Sequence, residues 1–156
     1  MTVHKILSLF AVILLVSSCS NTGGSVEMKN LQGKWPKKAE QKFTLEIEDA
    51  QHPKNIIFVV RNNNDYPYSN IRLFAHLNEE NLPTKNVDTL NYILAEPNGN
   101  WLGKGFGDTK EILFQYKINY KFPKPGRYQI GVTHGMRTDT LKGIEDIGVK
   151  VETLKP

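Results

Sequence analysis

From Ile112 to Phe122 the apolar residues occupy every second position: Ile112, Phe114, Tyr116, Ile118, Tyr120 and Phe122, with Gln115, Lys117, Asn119 and Lys121 between them. A period of two gathers one set of side chains on one face of an extended strand, and no helix can do the same. The alternation returns in Phe43, Leu45 and Ile47, in Ile71, Leu73, Ala75 and Leu77, in Tyr128, Ile130 and Val132, and in Ile147, Val149 and Val151. Ile56 to Val60 is a continuous apolar run, the pattern of a strand covered on both faces, and Val87 to Ala95 reads as a weaker strand. Pro123-Lys124-Pro125-Gly126 supplies a turn, so the strands on either side of it are expected to form a hairpin. No window of helical length keeps a 3.6-residue period; Thr138 to Asp146 is expected to hold one helical turn, with Leu141 and Ile144 facing inward. The expectation is an all-β chain, an antiparallel β-sandwich of about seven to eight strands in a single domain.

The N-terminus carries a different signal. Lys5 precedes the apolar stretch Ile6 to Val16, which is shorter than the roughly 20 residues that cross hydrocarbon. That pattern is a secretory leader. Ser17 and Ser18 follow, then Cys19, the only cysteine in the 156 residues, so the chain has no partner for an internal disulfide. Val16-Ser17-Ser18-Cys19 resembles the lipobox of bacterial lipoproteins, with Val16 in place of the usual leucine. The resemblance implies that Cys19 is lipidated and becomes the new N-terminus. A single acyl chain binds membranes only reversibly, whereas a lipoprotein cysteine carries more than one and holds durably. The expected division is residues 1–18 as leader, 19–34 as lipidated cysteine and flexible tether, and 35–156 as the β-domain. Gly23 and Gly24 lie in the tether, and Trp35-Pro36 marks the approach to the fold.

Few constellations of reactive residues emerge. The formal charge is +4, with Lys and Arg mixed along the chain, and nucleic-acid binding wants a concentrated basic face instead. His52, His76 and His134 lie in separate elements without ligand spacing, so neither a metal nor a cofactor is expected. No Gly-x-Ser-x-Gly elbow appears, and Glu46 and Glu48 lie on the polar side of a strand. No catalytic residue is assigned. A hydrolase would need His76 or His134 close to both a carboxylate and a hydroxyl in a pocket. The run from Gly99 to Asp108 is glycine-rich but fits neither phosphate-binding fingerprint, and reads as an irregular loop. Asp65-Tyr66-Pro67-Tyr68-Ser69-Asn70 displays two tyrosines around a rigid proline, and Trp101 sits in the glycine loop. Tyr66, Tyr68, Asn70 and Trp101 are therefore the candidate partner-binding residues, since aromatics on stiff loops anchor proteins and also stack on sugars.

Several segments carry a family resemblance. They are Arg61-Asn62-Asn63-Asn64-Asp65-Tyr66-Pro67-Tyr68-Ser69-Asn70 with the following Ile71-Arg72-Leu73-Phe74, Asp88-Thr89, Gly99 to Gly105, Gly126-Arg127-Tyr128, Met136-Arg137 and Leu141 to Gly148. Together they resemble the gliding motility lipoprotein GldH family. Asn64 stands where glycine is common, and asparagine tolerates the left-handed conformation a turn there would use. The resemblance implies a non-enzymatic envelope lipoprotein associated with gliding motility. Its partners would be membrane lipid, through Cys19, and other gliding motility or type IX secretion envelope proteins. The expected location is the outer membrane, facing the periplasm. A glycan-binding sandwich is the alternative, and it requires Trp101 and a tyrosine together on one exposed, concave face.

Overall fold

A computed structural model describes residues 24–84 and 86–154. The leader, Cys19 and the first part of the tether lie outside these. Ten strands are present among the described residues: β1 (Ser25–Asn30), β2 (Lys34–Pro36), β3 (Gln41–Ile47), β4 (Lys54–Asn62), β5 (Asn70–Glu79), β6 (Asp88–Ile93), β7 (Lys110–Tyr120), β8 (Gly126–His134), β9 (Thr140–Lys142) and β10 (Ile144–Thr153). One four-stranded sheet runs β1-β10-β4-β7 and the other β3-β8-β5-β6, every pairing antiparallel, and the two pack as a sandwich. Each expected strand is there, and the three additional ones, β1, β2 and β9, are short or at an edge.

The pattern of burial follows the alternation. Phe43, Leu45 and Ile47 of β3 face Ile56, Phe58 and Val60 of β4 across the core, all buried. The ribbon β2–β9 covers the core margin by setting Trp35 opposite Leu141, both wholly inaccessible. Side chains stitch the open sides: Glu27 of β1 accepts the Thr44 N–H of β3 at 3.1 Å, and Tyr92 of β6 stacks on Phe114 of β7 at 4.3 Å.

Four expectations are corrected. Strand structure is already present from Ser25, ahead of residue 35, because β1 lies inside the segment read as tether and pairs along all six residues with β10. Only Val26 and Met28 mark its alternation, too little to stand out beside Gly23 and Gly24. Thr138 to Asp146 holds no helical turn; β9, a left-handed Gly143 and the start of β10 occupy it, with Leu141 and Ile144 inward as strand residues.

Third, β7 and β8 do not form a hairpin. They belong to different sheets, and residues 121–125 cross the sandwich between them. Pro123 and Pro125 lack the N–H groups a hairpin ladder would use, while Phe122 is buried against Tyr120 and Tyr128 at 4.9 and 4.7 Å. Fourth, the apolar face of β7 is not continuous. One extra residue lies between Gln115 and Lys117 and a second before Tyr120, where Asn119 has φ 53°. Each bulge reverses the alternation, so Lys117 opposes core-facing Ile56 and Ile118 turns outward, 65% exposed.

The registers define two poles. Thr153, Lys54 and Tyr120 meet at one end, beside Ser25, which pairs with Val151 and starts the first strand. Asn30, Ile144, Asn62 and Lys110 meet at the other. The nine residues of β4 separate the two by roughly 30 Å.

Candidate functional site

The loop between β4 and β5, residues 63–69, stands at the pole away from the tether. Its asparagines are spent on neighbouring chain. Asn63 donates its backbone N–H to Gly143 O at 2.9 Å and its side-chain amide to Glu145, while its own oxygen receives the Asp65 N–H at 2.9 Å, an Asx turn. Asn64 receives the Trp101 indole N–H at 3.2 Å and donates to Asp108 at 2.9 Å, which fastens the glycine loop to the β4–β5 loop. It does so without a positive φ; among described non-glycine residues only Gln32, Asn81 and Asn119 adopt one. Ser69 O receives the N–H groups of Leu94 and Ala95, and Asn70 donates to Asn91 at 2.7 Å. Arg61, one residue before the end of β4, bonds Glu111 at 2.7 Å and reaches Asp146 at 3.7 Å.

The four candidate residues therefore divide. Tyr66 is 3% exposed and belongs to the core; its hydroxyl donates to Asn70 O at 2.7 Å, and burial together with nearby Tyr68 pushes that hydroxyl well above the usual phenol range. The expectation that the loop displays both tyrosines is corrected on this point: Tyr66 packs into the core with its hydroxyl held by Asn70 O, and only Tyr68 is displayed. Tyr68 remains exposed, Asn70 and Trp101 are half-buried. Tyr68 meets Tyr66 edge-on at 5.8 Å and 75°, and Trp101 meets it at 6.3 Å and 52°. With Tyr66 buried and Trp101 half-buried, Tyr68 is the one exposed ring of the three, so Trp101 and a tyrosine are not set together on the exposed face that the glycan reading requires.

Sequence reasoning missed Phe106, which is fully exposed at the tip of the glycine loop, with Leu102 also largely exposed nearby. Its flanking backbone is tied down, since Lys110 donates to the carbonyls of Gly107 at 2.8 Å and Gly105 at 3.4 Å. A phenyl ring between two glycines, outside any alternation, was the available signal.

His76 does lie near the groups a hydrolase would need: Glu40 is 2.8 Å from Nε2 and the Thr84 hydroxyl 3.3 Å from Nδ1. Yet Asn78 Oδ1 is closer to Nδ1, at 2.8 Å, and the amide is oriented by donating to Glu79 O and Leu82 O. Asn78 is therefore the nearer partner of Nδ1, and the longer Thr84 contact does not make a nucleophile–base pair. No group of three His, Cys, Asp or Glu able to hold a metal occurs among the described residues.

His134 is 1% exposed, packed edge-on to Trp35 at 5.7 Å, with neither ring nitrogen hydrogen-bonded among the described residues. Burial holds its imidazole below the usual range; the Trp35 backbone beside it opposes that shift and the charge of Lys37 adds to it. The folded protein thus keeps His134 neutral while the unfolded chain protonates near pH 6.5. Its contribution to stability is complete above that value and is lost as pH falls below it, with a slope of at most about 1.4 kcal/mol per pH unit for one proton. Urea midpoints measured from pH 7.5 to 5 are expected to fall in the wild type and to flatten in His134→Phe; equal slopes in the two would overturn this.

Against known proteins, the family model of the GldH lipoprotein matches residues 25–151, from the first strand to the last. The chain belongs to the GldH lipoprotein family. Two relatives resemble it over almost their whole length: the "Gliding motility lipoprotein GldH homolog" of Christiangramia forsetii, 37% identical over 90% of each chain, and the "Gliding motility lipoprotein GldH" of Flavobacterium johnsoniae, 34% identical over 92% of each. Among solved structures, an exo-β-1,3-galactanase from Phanerochaete chrysosporium is similar at TM-score 0.37 and 12% identity, over 81% of this chain and 26% of that one. So remote a likeness carries nothing about activity. GldH membership makes this a lipoprotein, lipid-anchored in the envelope, of a family not described as enzymes.

Proposed function

We propose that this GldH-family chain is a non-enzymatic docking component of the gliding motility apparatus. It is held by acyl chains on Cys19 at the periplasmic face of the outer membrane and meets other motility or type IX secretion proteins at its far pole. The observation that carries the reading is the polarity of the sandwich. The tether enters at Ser25, while Tyr68, Trp101 and Phe106 stand at the opposite end, on loops whose backbones are fastened by hydrogen bonds. Exposed aromatics on a pre-ordered surface lose little entropy on binding and are the residue types that dominate protein interfaces.

The test is crosslinking in intact envelopes, followed by recovery of this chain with its neighbours. Tyr68→Ala combined with Phe106→Ser is expected to lower partner recovery several-fold at unchanged abundance and melting temperature. Unchanged recovery would remove this pole from the reading. A deletion strain complemented with Cys19→Ala is expected to spread poorly, and full spreading would show that the anchor is dispensable.

A further inference from the structure

At the tether pole the two sheets part around a cavity of about 670 Å³. Leu45 and Ile47 of β3 form one wall, Val151 of β10 and Leu154 the other, and Gly24 and Ser25 lie at its mouth. Even-numbered residues of β4 face the opposing sheet: Ile56, Phe58 and Val60 are wholly inaccessible. Lys54 continues that face and is 5% exposed. Its ammonium donates to the Thr153 hydroxyl at 3.2 Å, and no carboxylate lies within ion-pair distance among the described residues. A cation held out of water without an opposite charge is costly and marks a place where a counter-charge belongs.

The acids around the cavity are disposed otherwise. Asp49 turns back on its own loop, bonding the Gln51 and His52 N–H groups and the His52 ring. Glu152 pairs with Lys150, and Glu46 reaches toward Arg127 at 3.9 Å. Glu48 is exposed at the rim. From floor to mouth the cavity thus offers a buried ammonium, apolar walls and a margin where, among the described residues, Lys150 is neutralised by Glu152 and Glu48 is left without an ion pair. We infer that it receives the headgroup of a zwitterionic phospholipid, with phosphate on Lys54, glycerol carbons along Leu45, Ile47 and Val151, and the amine at Glu48. A free phosphate dianion could also reach Lys54, but it would face the Glu48 carboxylate at the rim and would place nothing on the apolar walls. Location agrees: Gly24 is five residues from Cys19, a reach of at most about 18 Å. The inference rests on the reading of Cys19 as the lipidated residue, because that places this pole beside headgroups.

The test uses the mature chain from Cys19, made without its leader so that the thiol bears no lipid. It is titrated with monomeric dihexanoylphosphatidylethanolamine, its phosphatidylglycerol analogue and inorganic phosphate, and read by NMR shifts of Leu45, Ile47 and Val151. Wild type is expected to bind the ethanolamine lipid at least tenfold more tightly than either alternative. Lys54→Met is expected to lose that binding tenfold or more while melting no lower than wild type, and Lys54→Arg to keep most of it. Equal affinity for inorganic phosphate, equal affinity for the glycerol headgroup, or undiminished binding by Lys54→Met would each overturn the assignment. Mass spectrometry of envelope-extracted protein separates the two readings. A lipidated Cys19 with no headgroup binding removes the cavity site alone, whereas an unmodified Cys19 removes the anchor and the reason for a lipid here.

Discussion

Replacing Gly143 by alanine is expected to cost more than about 3 kcal/mol, a large part of the stability of a domain this size. Gly143 joins β9 to β10 with φ +78°, and a methyl group there would lie 2.2 Å from Tyr66 N and 2.5 Å from Tyr66 Cα. Both are backbone atoms, so no rotamer change relieves the clash. The same residue donates its N–H to Gly33 O at 3.0 Å and accepts from Asn63 N, so moving it away undoes hydrogen bonds to two other loops. Gly99 separates strain from clash: it has φ +88° with nothing within 4 Å of a methyl group. Gly99→Ala is expected to cost only the backbone term, about 1 kcal/mol. Urea unfolding of the two variants side by side checks the difference. If Gly143→Ala unfolds no earlier than Gly99→Ala, the close approach of the two loops is wrong.

The seven long strands were legible because a strand half-buried in a sandwich must alternate, and Phe43-Leu45-Ile47 or Ile147-Val149-Val151 do so without interruption. What escaped has identifiable causes. β1 lies at an edge and owes its place to pairing with β10 more than to its own side chains, so little in Ser25–Asn30 announces it. The two bulges in β7 leave the sequence period intact while reversing which face it serves, and Ile118 pays no visible penalty in the pattern. The crossing at residues 121–125 depends on which sheet receives β8, a long-range choice that a turn signature does not contain. At the site, the segment Arg61 to Asn70 was legible as a special loop, and its division of labour was not. Asn63 and Asn64 act on Gly143, Glu145, Trp101 and Asp108, partners roughly 40 to 80 residues away in the chain. Lys54 and His134 were silent for the same reason, since burial of a polar residue is decided by the opposing sheet.

Tyr66→Ala is expected to destabilise the domain by about 3 to 4 kcal/mol, by deleting a buried ring and leaving a cavity behind the loop. The ring is 3% exposed and touches Tyr68 and Trp101, so its loss loosens two of the surfaces assigned to docking. Tyr66→Phe keeps the packing and removes only the hydrogen bond to Asn70 O, at a cost of about 1 kcal/mol. Tyr68→Ala, at an exposed position, is expected to cost less than about 1 kcal/mol. Denaturation of the three purified variants checks the order, and a Tyr66→Ala no less stable than Tyr68→Ala would contradict the burial of the ring. The order also determines how a motility defect is interpreted. Tyr66→Ala should abolish spreading by lowering the amount of folded protein, which says nothing about partners. Tyr68→Ala leaves the fold intact, so poor spreading at normal abundance points to a lost contact. Tyr66→Phe completes the argument: normal spreading in this variant, beside a defect in Tyr68→Ala, assigns the inner tyrosine to holding the loop and the outer one to what the loop touches.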